Sequence, residues 1–146
     1  METRHLILLV EDNPDDEALT LRALRKNNVS NEIVVVRDGE EALDFLYARN
    51  SHAARGKHEI PMLILLDLKL PKVDGLEVLR HIRAHAETRH TPVVILTTSD
   101  EDNDLVQSYS LGANSFVRKP VDFSNFMESV KQISIYWLMV NEPPRN

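Results

Sequence analysis

The chain contains no cysteine, only four glycines, and no apolar run long enough to cross a membrane. Each absence removes a class of explanation. Without cysteine there is no disulfide framework and no thiolate metal centre, and a reducing, cytoplasmic setting is the expected one. The glycines stand singly, as Gly39, Gly56, Gly75 and Gly112, so none lies in a G-x-G-x-x-G or G-x-x-x-x-G-K loop. Direct ATP or dinucleotide binding is therefore not expected. The N-terminal METRH is followed by only five apolar residues, too few for a signal-peptide core. A basic surplus is missing as well: the formal net charge of -6 repels nucleic acid phosphates rather than gathering them.

What is present fits one compact domain. A length of 146 residues at 42% hydrophobic supplies a real core, expected from about residue 5 to 137 with a short tail over 138–146. Five short runs rich in β-branched residues recur: HLILLVE, NEIVVVR, PMLILLD, TPVVILT and NSFVRKP. They are apolar at successive positions, as strands buried on both faces are. Between them lie helical spacings, through Ala42, Phe45 and Leu46; Leu76, Leu79 and Ile82; Leu105 and Tyr109; and Phe123, Phe126, Met127, Val130, Ile133 and Trp137. Strand followed by helix, repeated, predicts an α/β doubly wound fold with a five-stranded parallel sheet and helices on both faces. Function then belongs at the carboxyl ends of the strands.

Local signals agree. Asn13 can cap the first helix, with Pro14 at its first position and Asp15 and Asp16 at its positive end; Asp38 with Glu41 predicts a second cap. The stretch Ala48 to Glu59 reads as a long exposed connection, and the two prolines of EPPRN stop any helix. His81 and His85 lie one helical turn apart without a third ligand and read as a solvated face, as do His52 and His58 in the connection. Arg55, Arg80, Arg83 and Arg89 read as ordinary surface.

The strand ends carry the chemistry. The first delivers Glu11 and Asp12, the third Asp67, the fourth Thr97 and the fifth Lys119 before Pro120. Of the four acids in VEDNPDD, Asp15 and Asp16 are assigned to the helix terminus, and Glu11 and Asp12 to one pocket with Asp67. Three carboxylates sharing a pocket repel one another unless a cation joins them, and an all-oxygen donor set suits Mg2+. With that charge offset by the metal and by Lys119, Asp67 can act as an oxygen nucleophile toward phosphorus, and Thr97 can hydrogen-bond a phosphoryl oxygen. A phosphatase with an aspartyl nucleophile usually carries a second Asp two residues on as general acid, where this chain has Lys69. Singly, each of these residues is explained by strand or turn preference; their coincidence at matching strand ends is not.

These motifs resemble the response-regulator receiver domain of two-component signalling, over nearly the whole chain. VEDNPDD, LILLDLKLPKVDG, TPVVILTTS and GANSFVRKP carry the resemblance. It implies a flavodoxin-like fold with strand order 2-1-3-4-5 and a phosphoacceptor at Asp67. It also implies Mg2+ ligation by Asp12, Asp67 and the carbonyl of Lys69, with Glu11 holding the ion through water, and a switch pair of Thr97 and Phe116. RDGEEALDFLYAR, the connection after it and the terminal IYWL resemble the small stand-alone regulators paired with bacterial phytochrome histidine kinases. The expected partner is such a kinase and the expected reaction is phosphoryl acceptance, with no other enzymatic activity. The alternative is a phosphorelay intermediate that passes phosphate to a histidine phosphotransfer protein. Lys69 departs from the pattern, standing where a small polar residue such as Asn is expected.

The last helix is apolar all round at SIYWLMV, which leaves hydrophobic groups outside the face that packs on the sheet. A homodimer through Tyr109, Tyr136 and Leu138 is the expectation.

Overall fold

The computed structural model describes residues 6–27, 29, 31–55, 60–98, 101–119 and 123–142. Pro120, His58 and the terminal prolines lie outside the described residues. Five strands, β1 (Ile7–Val10), β2 (Ile33–Val36), β3 (Leu63–Leu66), β4 (Val93–Thr97) and β5 (Ser115–Arg118), alternate with five helices. The helices are α1 (Pro14–Lys26), α2 (Gly39–Leu46), α3 (Gly75–Ala84), α4 (Asp102–Ser110) and α5 (Phe123–Ser134). All pairings are parallel, as the apolar strand runs predict, and the order β2-β1-β3-β4-β5 is the one the resemblance implies.

Alternation along each strand divides the core in two. Leu8, Val10, Ile64, Leu66, Val93 and Ile95 face the cluster covered by α2 and α3. Ile7, Leu9, Leu63, Leu65, Val94 and Leu96 face Ala23 and Leu24 of α1 and Phe126, Val130 and Ile133 of α5. The register sets the rim: Val10 pairs with Leu66 and Leu66 with Ile95, so Glu11 and Asp67 leave the sheet at one level with Asp12 and Thr97 one step beyond.

The helix starts follow the sequence. The Asn13 side chain accepts from the N–H groups of Asp15 (2.9 Å) and Asp16 (3.1 Å), satisfying donors the first turn leaves open. Asp38 accepts from the Glu41 N–H at 2.7 Å while the Glu41 carboxylate takes the Arg37 N–H at 3.0 Å.

Three expectations change. The connection after α2 is not simply exposed: Asn50–His52 form a 3-10 turn, His52 pairs with Glu41 at 3.2 Å, and the Arg55 guanidinium lies 3.8 Å from the Phe45 ring centroid. His52 is thus half-buried by an acid and an aromatic rather than solvated. Arg83 is a clamp and not ordinary surface, donating to the carbonyls of Gly112 (2.8 Å) and Thr91 (2.8 Å) and to the Asn114 side chain (2.8 Å). It fastens the C-terminal part of α3 to the approaches of β4 and β5. At Gly112, with φ +97, a β-carbon would crowd the Arg83 side chain and any side chain would be strained. Finally, α5 gives way at Ser134 to a wider, π-helical turn over Ile135–Val140. Trp137 and Leu138 there pack partly against the second core, leaving Ile135, Tyr136, Met139 and Val140 exposed.

Candidate functional site

Each residue of the rim is held by the strand beneath it. The Glu11 N–H donates to the Val36 carbonyl at 3.0 Å and the Asp67 N–H to the Val10 carbonyl at 3.1 Å, extending the ladder past the last regular pair. The Lys119 N–H donates to the Thr97 carbonyl at 2.7 Å. The loop after Asp67 folds back so that the Gly75 N–H reaches the Leu68 carbonyl at 2.9 Å. A β-carbon at Gly75 would collide with the Asp67 carbonyl and the Leu68 backbone, so glycine is required for this close approach.

Glu11, Asp12 and Asp67 each offer a carboxylate oxygen within 4.8 Å of the others. Glu11 and Asp67 are buried and Asp12 is exposed at the mouth. The ammonium of Lys119, whose side chain is 5% exposed, pairs with Glu11, with Asp67 at 3.1 Å and with Asp16 at 3.0 Å. Burial pushes the Glu11 carboxyl up to about 7, and the hydrogen bond from Lys119 only partly opposes this. Burial also pushes Lys119 down, but the bonds and charges of Glu11, Asp67 and Asp16 outweigh it and hold the ammonium above its ordinary value. One ammonium among four acids leaves a surplus of negative oxygen ligands at the mouth, the donor set a hard divalent cation takes.

The assignment of Asp16 to the helix terminus alone is corrected here. Its N–H is capped by Asn13, yet its carboxylate reaches Lys119 across the sheet, so it belongs to both settings. Sequence reading had only its place in the first turn of α1 to go on. Thr97 is fully buried at the end of β4, and Phe116 is half-buried on β5 against the first core. The Lys69 N–H donates to Asp67 at 3.3 Å, but its ammonium points to Asp104 of α4 at 3.6 Å. Tyr109 on α4 and Tyr136 after α5 are exposed at 52% and 50%, whereas Leu138 turns partly inward.

Comparison with known proteins agrees with this geometry. Residues 7–131 match the model of the response regulator receiver domain, and the chain belongs to that family. It is 42% identical over 143 residues to the probable methanogenesis regulatory protein FilR2 of Methanothrix harundinacea, covering 98% of this chain and 90% of that one. It is 37% identical over 133 residues to the response regulator Rcp1 of Synechocystis, covering 91% and 88%, a protein whose structure is known in a Mn2+-bound form. The phosphorylated cyanobacterial phytochrome response regulator RcpA superposes with a TM-score of 0.89 at 39% identity, over 97% of this chain and 99% of that one. The bacteriophytochrome response regulator RtBRR does so at 0.78 and 50% identity, over 97% and 84%. Among the described residues no helix is long and apolar enough to cross a membrane.

Proposed function

We propose that Asp67 accepts a phosphoryl group from the phosphohistidine of a sensor kinase of the phytochrome type, in a Mg2+-dependent reaction in the cytoplasm. The observation that carries this reading is the Lys119 ammonium seated on Asp67 and Glu11 beside a cluster of three carboxylates. An Asp67 oxygen attacks phosphorus, the P–O bond forming as the P–N bond of the donor breaks and the imidazole nitrogen takes up a proton. Lys119, already oriented by Glu11 and Asp16, is placed to hold a phosphoryl oxygen, and the Thr97 hydroxyl to hydrogen-bond another. Asp12, Asp67 and the Lys69 carbonyl are the groups to hold Mg2+, with Glu11 behind them through water; when bound, the ion offsets charge on the transferring group. This is positioning and neutralisation, which is most of what phosphoryl transfer asks of a protein. The phosphorylated RcpA and Mn2+-bound Rcp1 structures support the assignment by similarity.

The output is a conformational one: Thr97 drawn toward the phosphoryl group pulls on the loop after β4 and changes where Phe116 packs. Exposed Tyr109 and Tyr136 support a homodimer through α4 and the turn after α5, with Leu138 as a neighbour at its inner edge. Intact-mass measurement after treatment with acetyl phosphate and Mg2+ tests the reading. Wild type should gain one phosphoryl group, and neither the Asp67→Asn variant nor chelated wild type should; equal gain by the variant would refute it.

A further inference from the structure

Helix α4 is held differently from its neighbours. Val78, Leu79 and Ile82 bury α3 in the core, whereas the side chains α4 buries are polar, Asp104 and Ser108. Leu105 is only half-buried, and Val106 and Tyr109 are exposed. The Ser108 hydroxyl is enclosed without a hydrogen-bond partner among the described residues. An enclosed, unsatisfied hydroxyl costs free energy that a shift of the helix can recover. At the N-cap position of α4, the Glu101 side chain does not cap the helix.

Toward the site, this loosely anchored helix is tied by the Lys69–Asp104 ion pair at 3.6 Å. Both residues line a recess of about 420 Å³ that also takes in Asp12, Leu68 and Pro71. Lys69 stands two residues past Asp67 and touches its carboxylate through the backbone N–H.

We propose that Lys69 and Asp104 form a releasable latch, tying the loop after Asp67 to α4 in the unphosphorylated protein and opening when Asp67 carries a phosphoryl group. The inference rests on the assignment of Asp67 above. With 60% of its side chain exposed, Lys69 makes a weak, solvent-screened pair that a stronger local charge can break. A phosphoryl group on Asp67 places more negative charge and further acceptor oxygens beside Asp12 and Leu68, which line the same recess, within the compass of a flexible four-carbon stem. The ammonium changes partner, and α4 loses its tie to the loop after Asp67. A two-state equilibrium moves only through contacts that differ between its states, and this exchange is one. Asn at position 69 could not span to Asp104 in this way, so the departure of Lys69 from the family pattern gains a purpose.

Hydrogen exchange of residues 102–110 tests the latch, read in wild type, Lys69→Ala, Lys69→Arg and Asp104→Asn before and after acetyl phosphate and Mg2+, with occupancy followed by intact mass. Exchange in wild-type α4 should rise severalfold on phosphorylation. Unphosphorylated Lys69→Ala and Asp104→Asn should already exchange at that faster rate with β1 and β3 unchanged, and Lys69→Arg should restore the wild-type pattern. Wild-type protection of α4 in unphosphorylated Lys69→Ala overturns the latch while leaving Asp67 untouched. Failure of wild type to gain a phosphoryl group overturns the Asp67 assignment and the latch with it.

Discussion

Strands β3 and β4 are buried along their whole length, whereas β5 is half-buried and ends on the exposed Arg118. The helices repeat the contrast, with α3 seated on three apolar side chains and α4 on two polar ones. The acids and Thr97 stand on the ends of β1, β3 and β4, where packing fixes their positions. The half-buried Phe116 and the exposed tyrosines belong to β5, α4 and the turn after α5. Most of the groups placed for chemistry thus stand on the stiff centre of the sheet, with Lys119 at the end of β5 the exception, and the surface proposed to change lies on its pliable edge.

The largest effect expected from this contrast is on stability. Ile64→Ala in fully buried β3 should cost about 2–5 kcal/mol by opening a cavity, against about 0.5 kcal/mol or less for Val106→Ala on exposed α4. Urea denaturation of both variants checks this; similar losses would mean that α4 is as firmly seated as the centre.

Next come the acids at the rim. Asp12→Ala removes a proposed direct ligand and should weaken Mg2+ binding by about tenfold or more. Asp15→Ala, exposed at the first turn of α1, should leave metal affinity unchanged and cost about 0.3–1 kcal/mol of stability. Calorimetric titration separates them, and equal losses of affinity would undo the division.

A smaller effect follows from Glu11. Its carboxyl is raised by burial to about 7, so the folded protein keeps a proton there that the unfolded chain releases nearer pH 4.5. The stability this group contributes is full below about pH 4.5 and is lost as pH rises through 7. The metal-free protein should therefore melt lower at pH 8 than at pH 5.5 through this group, and Glu11→Gln should flatten the difference. Mg2+ binding is favoured by the ionised Glu11 carboxylate and should weaken as pH falls below 7. A Glu11→Gln variant with an unchanged pH profile would show that the carboxyl is not the titrating group.

Much of this was legible in the sequence, for physical reasons. LILLV, LILL and VVIL are apolar at every position because both faces of their strands are covered, and the half-buried edge strand IVVV repeats the pattern, so the sheet could be read without any partner information. Asn13, Asp38 and the strand-end residues Glu11, Asp12, Asp67, Thr97 and Lys119 stand at positions their own element fixes. What escaped depends on how elements meet. Asp16 reaches Lys119 because α1 crosses the sheet at a particular angle, and Arg83 finds its carbonyls only once β4 and β5 lie beside α3. His52 and Arg55 pack on α2 through a turn with residues at positive φ, which a run of small and charged residues did not announce. The widening of the last helix after Ser134, where Trp137 and Leu138 pack against the second core, was likewise not announced by an all-round apolar run.

The most direct test of the account is to locate the phosphoryl group. Treating the acetyl phosphate-labelled protein with borohydride converts an aspartyl phosphate to homoserine, and peptide mass mapping then reads the position. Homoserine at residue 67 alone, formed only with Mg2+ present, is the predicted result; homoserine at Asp12, Asp16 or any other acid, with Asp67 unchanged, would contradict it.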